Sequence, residues 1–164
     1  MGIGRVIAGT VAGLGLVGAG YTGLAGQDDT TRSEDGAIVE SGELGAFRIR
    51  VGDCLDSSLG TEVESVEGLP CDQPHSYEVY HAFNLSEGDG TFPGDDAVGT
   101  AADEGCYQAF EPFVGLSYQE STYDFLTLVP TEGSWDGLDD REVLCLIANL
   151  DGTAKTGTAA DTAR

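Results

Sequence analysis

From Phe47 onward the apolar and polar positions follow periods that predict a set of elements. Phe47-Arg48-Ile49-Arg50-Val51 alternates, which predicts a half-buried strand that Gly52-Asp53 turns into Cys54. Glu62-Val63-Glu64-Ser65-Val66 predicts a second, short strand, ended by Gly68-Leu69-Pro70. Ser76 to Leu85 gives the clearest strand. Strict alternation sets Tyr77, Val79, His81, Phe83 and Leu85 on one face and Glu78, Tyr80, Ala82 and Asn84 on the other. Gly88-Asp89-Gly90 and Phe92-Pro93-Gly94 are turn chemistry. Asp95 then reads as an N-cap, with Asp96 in the first turn of a helix. Val98, Ala102, Cys106, Ala109 and Phe110 recur at helical spacing, with Gly105 on the same side, until Glu111-Pro112. Tyr123 to Val129 predicts a strand closed by Pro130, and Glu132 to Gly137, around Trp135, a loop. Val143 to Ala148 is an unbroken apolar run, as in a central strand buried on both faces. Asp151-Gly152 predicts a turn and Lys155 to Ala159 a short edge strand. Strands, one helix, then strands predict an α+β fold: a small antiparallel sheet with one main helix packed on it.

The chain before Ala46 differs in kind. Val6 to Gln27 holds no charged residue, and 22 residues make a helix of about 33 Å, enough to cross a bilayer core. Arg5 precedes the run, and Asp28, Asp29, Glu34 and Asp35 follow it, an asymmetry that places everything after Asp28 outside the membrane. Residues 1–27 are therefore expected to be a transmembrane anchor or a cleaved signal peptide, with Gly23 and Ala25 as the small residues before a cut. The expected location is the cell membrane, single-pass with the C-terminal domain outside, or secretion after cleavage. Residues 28–45, polar and acidic with no apolar period, predict a flexible linker. The folded domain is expected over 46–158, with a loose tail at 159–164.

Charge narrows the partners. The chain has 29 Asp and Glu against 7 Lys and Arg, a formal net charge of -22. Between Val51 and Asp140 there is no Lys or Arg, and 20 acidic residues fall in that stretch. Nucleic acid and anionic lipid headgroups are excluded as electrostatic partners, because both require clustered cations. The hydrophobic content of 40% is enough for a core.

Cys54, Cys71, Cys106 and Cys145 are an even set with no C-x-x-C pair. Cys71-Asp72-Gln73-Pro74-His75 with Cys54 is the nearest approach to a zinc ligand set, but it lacks paired spacing. Two disulfides, formed in an oxidising compartment, are the expectation. A helix laid on the sheet brings Cys106, in its apolar stripe, to Cys145, whose side chain shares a face with Val143 and Ile147. That leaves Cys54 to pair with Cys71.

These residues resemble a known family. Val51-Gly52-Asp53-Cys54, then Pro70-Cys71-Asp72-Gln73-Pro74-His75-Ser76-Tyr77-Glu78-Val79, resembles the opening of the septum formation domain of actinobacteria. Phe92-Pro93-Gly94, Cys106, Pro130-Thr131 with Trp135, Arg141 ahead of Cys145, Asp151-Gly152 and Thr156-Gly157 continue the resemblance over about Arg48 to Thr158. Leu138-Asp139-Asp140-Arg141 departs from the Gly-Asp-Arg that the family tends to carry after the Trp. The resemblance implies an extracytoplasmic domain behind a membrane segment and no established reaction.

Candidate chemistry is sparse. His75, with Asp72, Ser76 and Glu78 nearby, is the first candidate for a binding or acid–base role, but no G-x-S-x-G elbow accompanies it. His81 sits among apolar neighbours and is expected in the core or a cleft. Trp135, in its Gly-containing loop, is a candidate anchor for sugar or peptide. Arg141, an isolated cation, is expected to pair with a neighbouring carboxylate or to recognise an anionic group. No EF-hand pattern or other metal or cofactor motif occurs, so neither is expected. The sequence points to a non-enzymatic cell-envelope module connected with septum formation, binding an envelope protein or wall component through His75, Glu78, Trp135 or Arg141. The alternative is a cell-wall hydrolase centred on His75 and Glu78.

Overall fold

The computed structural model describes residues 5–7, 28–56, 59–86, 88 and 90–164. In chain order the elements are β1 (Arg5–Ile7), β2 (Thr31–Arg32), β3 (Ile38–Glu40), β4 (Gly42–Gly45), β5 (Cys54–Asp56), β6 (Ser65–Leu69) and β7 (Tyr77–Asn84). There follow α1 (Asp95–Val114), β8 (Tyr123–Pro130), α2 (Glu132–Leu138) and β9 (Glu142–Asn149). One sheet runs in the order β1-β8-β9-β7-β5-β6-β4, antiparallel throughout, and β2 and β3 form a small hairpin. The fold is the expected α+β sheet with one main helix across it.

β9 is an interior strand, buried on both faces as its apolar run predicts. Val143, Cys145 and Ile147 face a core shared with Val98, Ala102, Cys106, Phe110 and Val114 of α1. Leu144 and Leu146 face a second core with Val79, Leu128, Leu55, Leu44 and Ile38. The Cys106–Cys145 disulfide ties helix to sheet, with Cα atoms 5.4 Å apart. Cys54–Cys71 ties β5 to the loop after β6, with Cα atoms 5.2 Å apart. Both are the expected pairings, Cys106–Cys145 from helix-on-sheet packing and Cys54–Cys71 as the pair that remains.

α1 begins after Gly94, whose φ of 94° is open to glycine, so Asp95 and Asp96 stand in the first turn rather than at the cap. It runs past Pro112 to Val114, because Gly115, in the left-handed conformation, donates its N–H to Glu111 O. At Gly105 an added Cβ would lie 2.2 Å from the Phe83 ring, so this glycine lets helix and sheet close on each other.

Several expectations are corrected. Phe47–Val51 is no strand. Ala46–Arg48 forms one 3-10 turn, and the Asp53 carboxylate then accepts from Arg50 N, folding the backbone round Gly52 at φ 90°. The second strand is Ser65–Leu69 rather than Glu62–Val66. Strict alternation on β7 fails because a bulge lies between Val79 and His81. Tyr80 is the inserted residue between Val79, opposite Leu146, and His81, opposite Cys145, so Glu78, Tyr80 and Phe83 turn toward the helix side while Val79 and Ala82 face the second core.

Residues 28–45 are not a flexible linker. They carry β2, β3 and β4, and they fold because Ile38 and Leu44 enter the second core and Arg32 grips buried Asp53 through two hydrogen bonds of 2.6 and 3.0 Å. The tail 159–164 is not loose. Ala159 is buried, and Asp161 N and Ala163 N donate to Phe113 O and Val114 O, capping α1. Lys155–Ala159 is not a strand, because its pairing reduces to one bridge between His75 and Lys155.

Val6 and Ile7 lie in β1, against Leu128–Val129. Residues 8–27, and with them the expected anchor or signal segment, lie outside the described residues. Among the described residues no helix is long and apolar enough to cross a membrane.

Candidate functional site

The candidate residues fall into two pairs. His75 and Glu78 meet at the start of β7, where the chain emerges from the Cys54–Cys71 bridge. Glu78 stands opposite Cys54 in the sheet register. Its register partner on the other side is Ile147, so the carboxylate points into the helix-side core. Bare, such a carboxylate would be prohibitively costly there. Lys155 compensates it.

Lys155, which the sequence reading passed over, is 8% exposed. Its ammonium spends all three hydrogens inside the protein, on Glu78 Oε2 at 2.5 Å, His75 Nε2 at 2.9 Å and Gly157 O at 2.9 Å. The Gln73 carbonyl, 2.8 Å from His75 Nδ1, can only accept, so Nδ1 carries the imidazole proton and Nε2 accepts from Lys155. This neutral tautomer is the one the site allows. Burial depresses the His75 pKa; the bond to Gln73 O opposes it, the Lys155 charge adds to the depression, and Glu78 and Asp56 oppose it more weakly. Burial likewise lowers the Lys155 pKa, opposed by its bond to Glu78. Glu78 is completed by Thr158 Oγ1 on Oε1 and by Ala159 N on Oε2. His75 is 0% and Glu78 3% exposed, so the cluster is closed to solvent.

Trp135 and Arg141 form the second pair. The expected loop around Trp135 is the helix α2. Thr131 and Ser134 make a reciprocal capping box at its start, with Ser134 standing where Glu or Gln is the usual signal. Asp139, at φ 55°, ends the helix in the left-handed conformation. Trp135 is buried, donates Nε1–H to Gly90 O at 3.0 Å and meets the edge of Phe92 at 5.7 Å. The Arg141 guanidinium lies 3.7 Å above the indole ring. Its NH1 donates to Trp135 O and Asp140 O, and its NH2 pairs with Asp139 at 3.0 Å. Neither side chain offers a free face or fork to a ligand, and Arg141 has the neighbouring carboxylate it was expected to find.

His81 is half-buried and stacks on Phe83 at 5.8 Å. Cys54 and Cys71 are bonded to each other, so the zinc ligand set is not assembled. Among the described residues no group of His, Cys, Asp or Glu is placed to hold a metal ion. The one sequence signal for Lys155 is that it is the only lysine of the chain, set among small residues.

Fold and sites together define a disulfide-tied α+β domain in which His75, Glu78 and Lys155 are engaged with one another. The chain belongs to the septum formation family, which matches it over residues 49–164. Neither a curated protein nor a solved structure matches it.

Proposed function

We propose that this protein is a non-enzymatic module of the cell envelope, connected with septum formation, that stands outside the cytoplasmic membrane and binds an envelope protein or wall component. One observation carries the non-enzymatic part. The group best suited to acid–base chemistry, His75, has no solvent access and has both ring nitrogens committed, to Gln73 O and to Lys155. A general base must reach the proton it abstracts, directly or through one water. The hydrolase alternative has no such path at His75 and Glu78.

Location rests on different support. Disulfides persist in oxidising compartments, and both bridges here include a fully buried cysteine. The uncharged run after Arg5, with acid beyond it, favours export. The test is protease added to intact cells, with thiol alkylation before and after reduction. The expected result is digestion of the domain and alkylation only after reduction. Protection together with free thiols would overturn the location. A His75→Gln variant that melts normally yet loses its role in division would overturn the non-enzymatic reading.

A further inference from the structure

We propose that a groove beside the C-terminal half of α1 binds an extended, basic peptide segment of a partner protein. A depression of about 510 Å3 is lined by Tyr107, Gln108, Glu111, Pro112, Gly115 and Tyr118. Tyr107, on the outer side of α1, leaves 45% of its surface exposed, unusual for so large an aromatic side chain. Its ring meets that of Tyr118 at 5.9 Å and 73°, so the two rings form adjoining walls at a steep angle. Both are held in place: Gln119 Nε2 donates to Tyr107 Oη at 2.7 Å, and Tyr118 Oη donates to Asp124 at 2.6 Å. Ring faces carry negative potential and attract cations.

The charge around the groove has the same sign. α1 contains no Lys or Arg, and Glu104 and Glu111 stand on the face that carries Tyr107. Glu111 lies in the last turn, where the helix dipole is already negative and a carboxylate is unfavourable by itself. A cation bound there relieves both the dipole and the carboxylate. Pro112 supplies an apolar surface for the stem of an Arg or Lys side chain. The long-range field of a chain with net charge -22 draws a basic partner to the protein and repels an acidic one.

This inference supplies the binding reading above with a surface and a partner chemistry. The test is a titration of the purified full chain, so it can fail without touching the location, and the location can fail without touching it. The probe is a capped six-residue peptide of alternating Arg and Pro, followed by calorimetry and by chemical shifts of α1. Binding is expected to weaken about tenfold in Tyr107→Ala, as for a lost cation–π contact in a partly desolvated site. Tyr107→Phe should bind as the unchanged protein does. Glu111→Lys, an exposed substitution that leaves the core intact, should abolish binding, and Glu62→Gln, outside the groove, should leave it unaltered. Three results would overturn the proposal: equal binding by the corresponding Glu and Pro peptide; equal weakening by Glu62→Gln and Tyr107→Ala, which marks diffuse attraction; or binding of an N-acetylglucosamine trisaccharide, but not the peptide, at Tyr107.

Discussion

Lys155 shows how one side chain decides the character of a site. It neutralises Glu78 and fixes the proton on His75. Removing a single partner of a buried ion pair strands the other charge, at a cost of about 3–5 kcal/mol. Lys155→Met and Glu78→Leu are each expected to destabilise on that scale in urea unfolding, and the double variant by less than the sum. His75 adds a pH dependence whose sign follows from its depressed pKa. As pH falls below about 6.5 the unfolded chain takes up a proton that the folded chain resists, so stability falls by up to about 1.4 kcal/mol per pH unit. The loss continues until the pH reaches the lowered value in the folded protein. Thermal melts between neutral and mildly acid pH should show this slope, and His75→Gln should flatten it. Of this cluster, His75 and Glu78 were legible because they are three residues apart in the sequence, where β7 begins. Lys155 was not, because it comes 77 residues after Glu78 and no local pattern reports an ion pair across that distance.

Among elements, those with long periods were legible and those held by single polar contacts were not. β7, α1, β8 and β9 each carry several apolar residues in register, and each forms close to where the pattern places it. The bulge in β7 escaped because it inserts one residue without altering composition, and it sends Tyr80 Oη to Cys106 O, a contact no alternation encodes. α2 escaped because Gly133 and Gly137 read as loop. Its capping box compensates for their poor helix propensity, so Thr131→Ala should cost about 1 kcal/mol and loosen the seat of Trp135, measured by unfolding and by indole fluorescence. Residues 28–45 escaped because their acidity masks a few buried anchors. Arg32→Ala should leave buried Asp53 unpaired, cost about 3 kcal/mol and open this segment to protease first.

At the scale of the whole molecule, two cross-links and a large net charge oppose each other. By loop-closure entropy the Cys54–Cys71 bridge, spanning 17 residues, stabilises by about 3 kcal/mol. Cys106–Cys145, spanning 39, stabilises by about 4 kcal/mol. Self-repulsion of -22 charges acts against the compact state and is screened by salt. The melting midpoint of the full chain should rise with salt, more steeply after reduction of the disulfides, and a midpoint indifferent to salt would show that the acid is locally compensated.

The fastening of Lys155, Thr158 and Ala159 onto Glu78 also bears on how the chain is made. Synthesis delivers His75 and Glu78 long before the groups that satisfy them, which follow Glu78 after 77 to 81 residues. A growing chain that has β7, α1 and β9 but not yet Lys155 cannot bury Glu78 without loss, and the last carbonyls of α1 still await Asp161 and Ala163. Arrival of residues 155–163 thus acts as the latch for the whole domain. A message cut short before Lys155 yields a polypeptide that keeps its core ajar, which quality-control proteases read as unfinished.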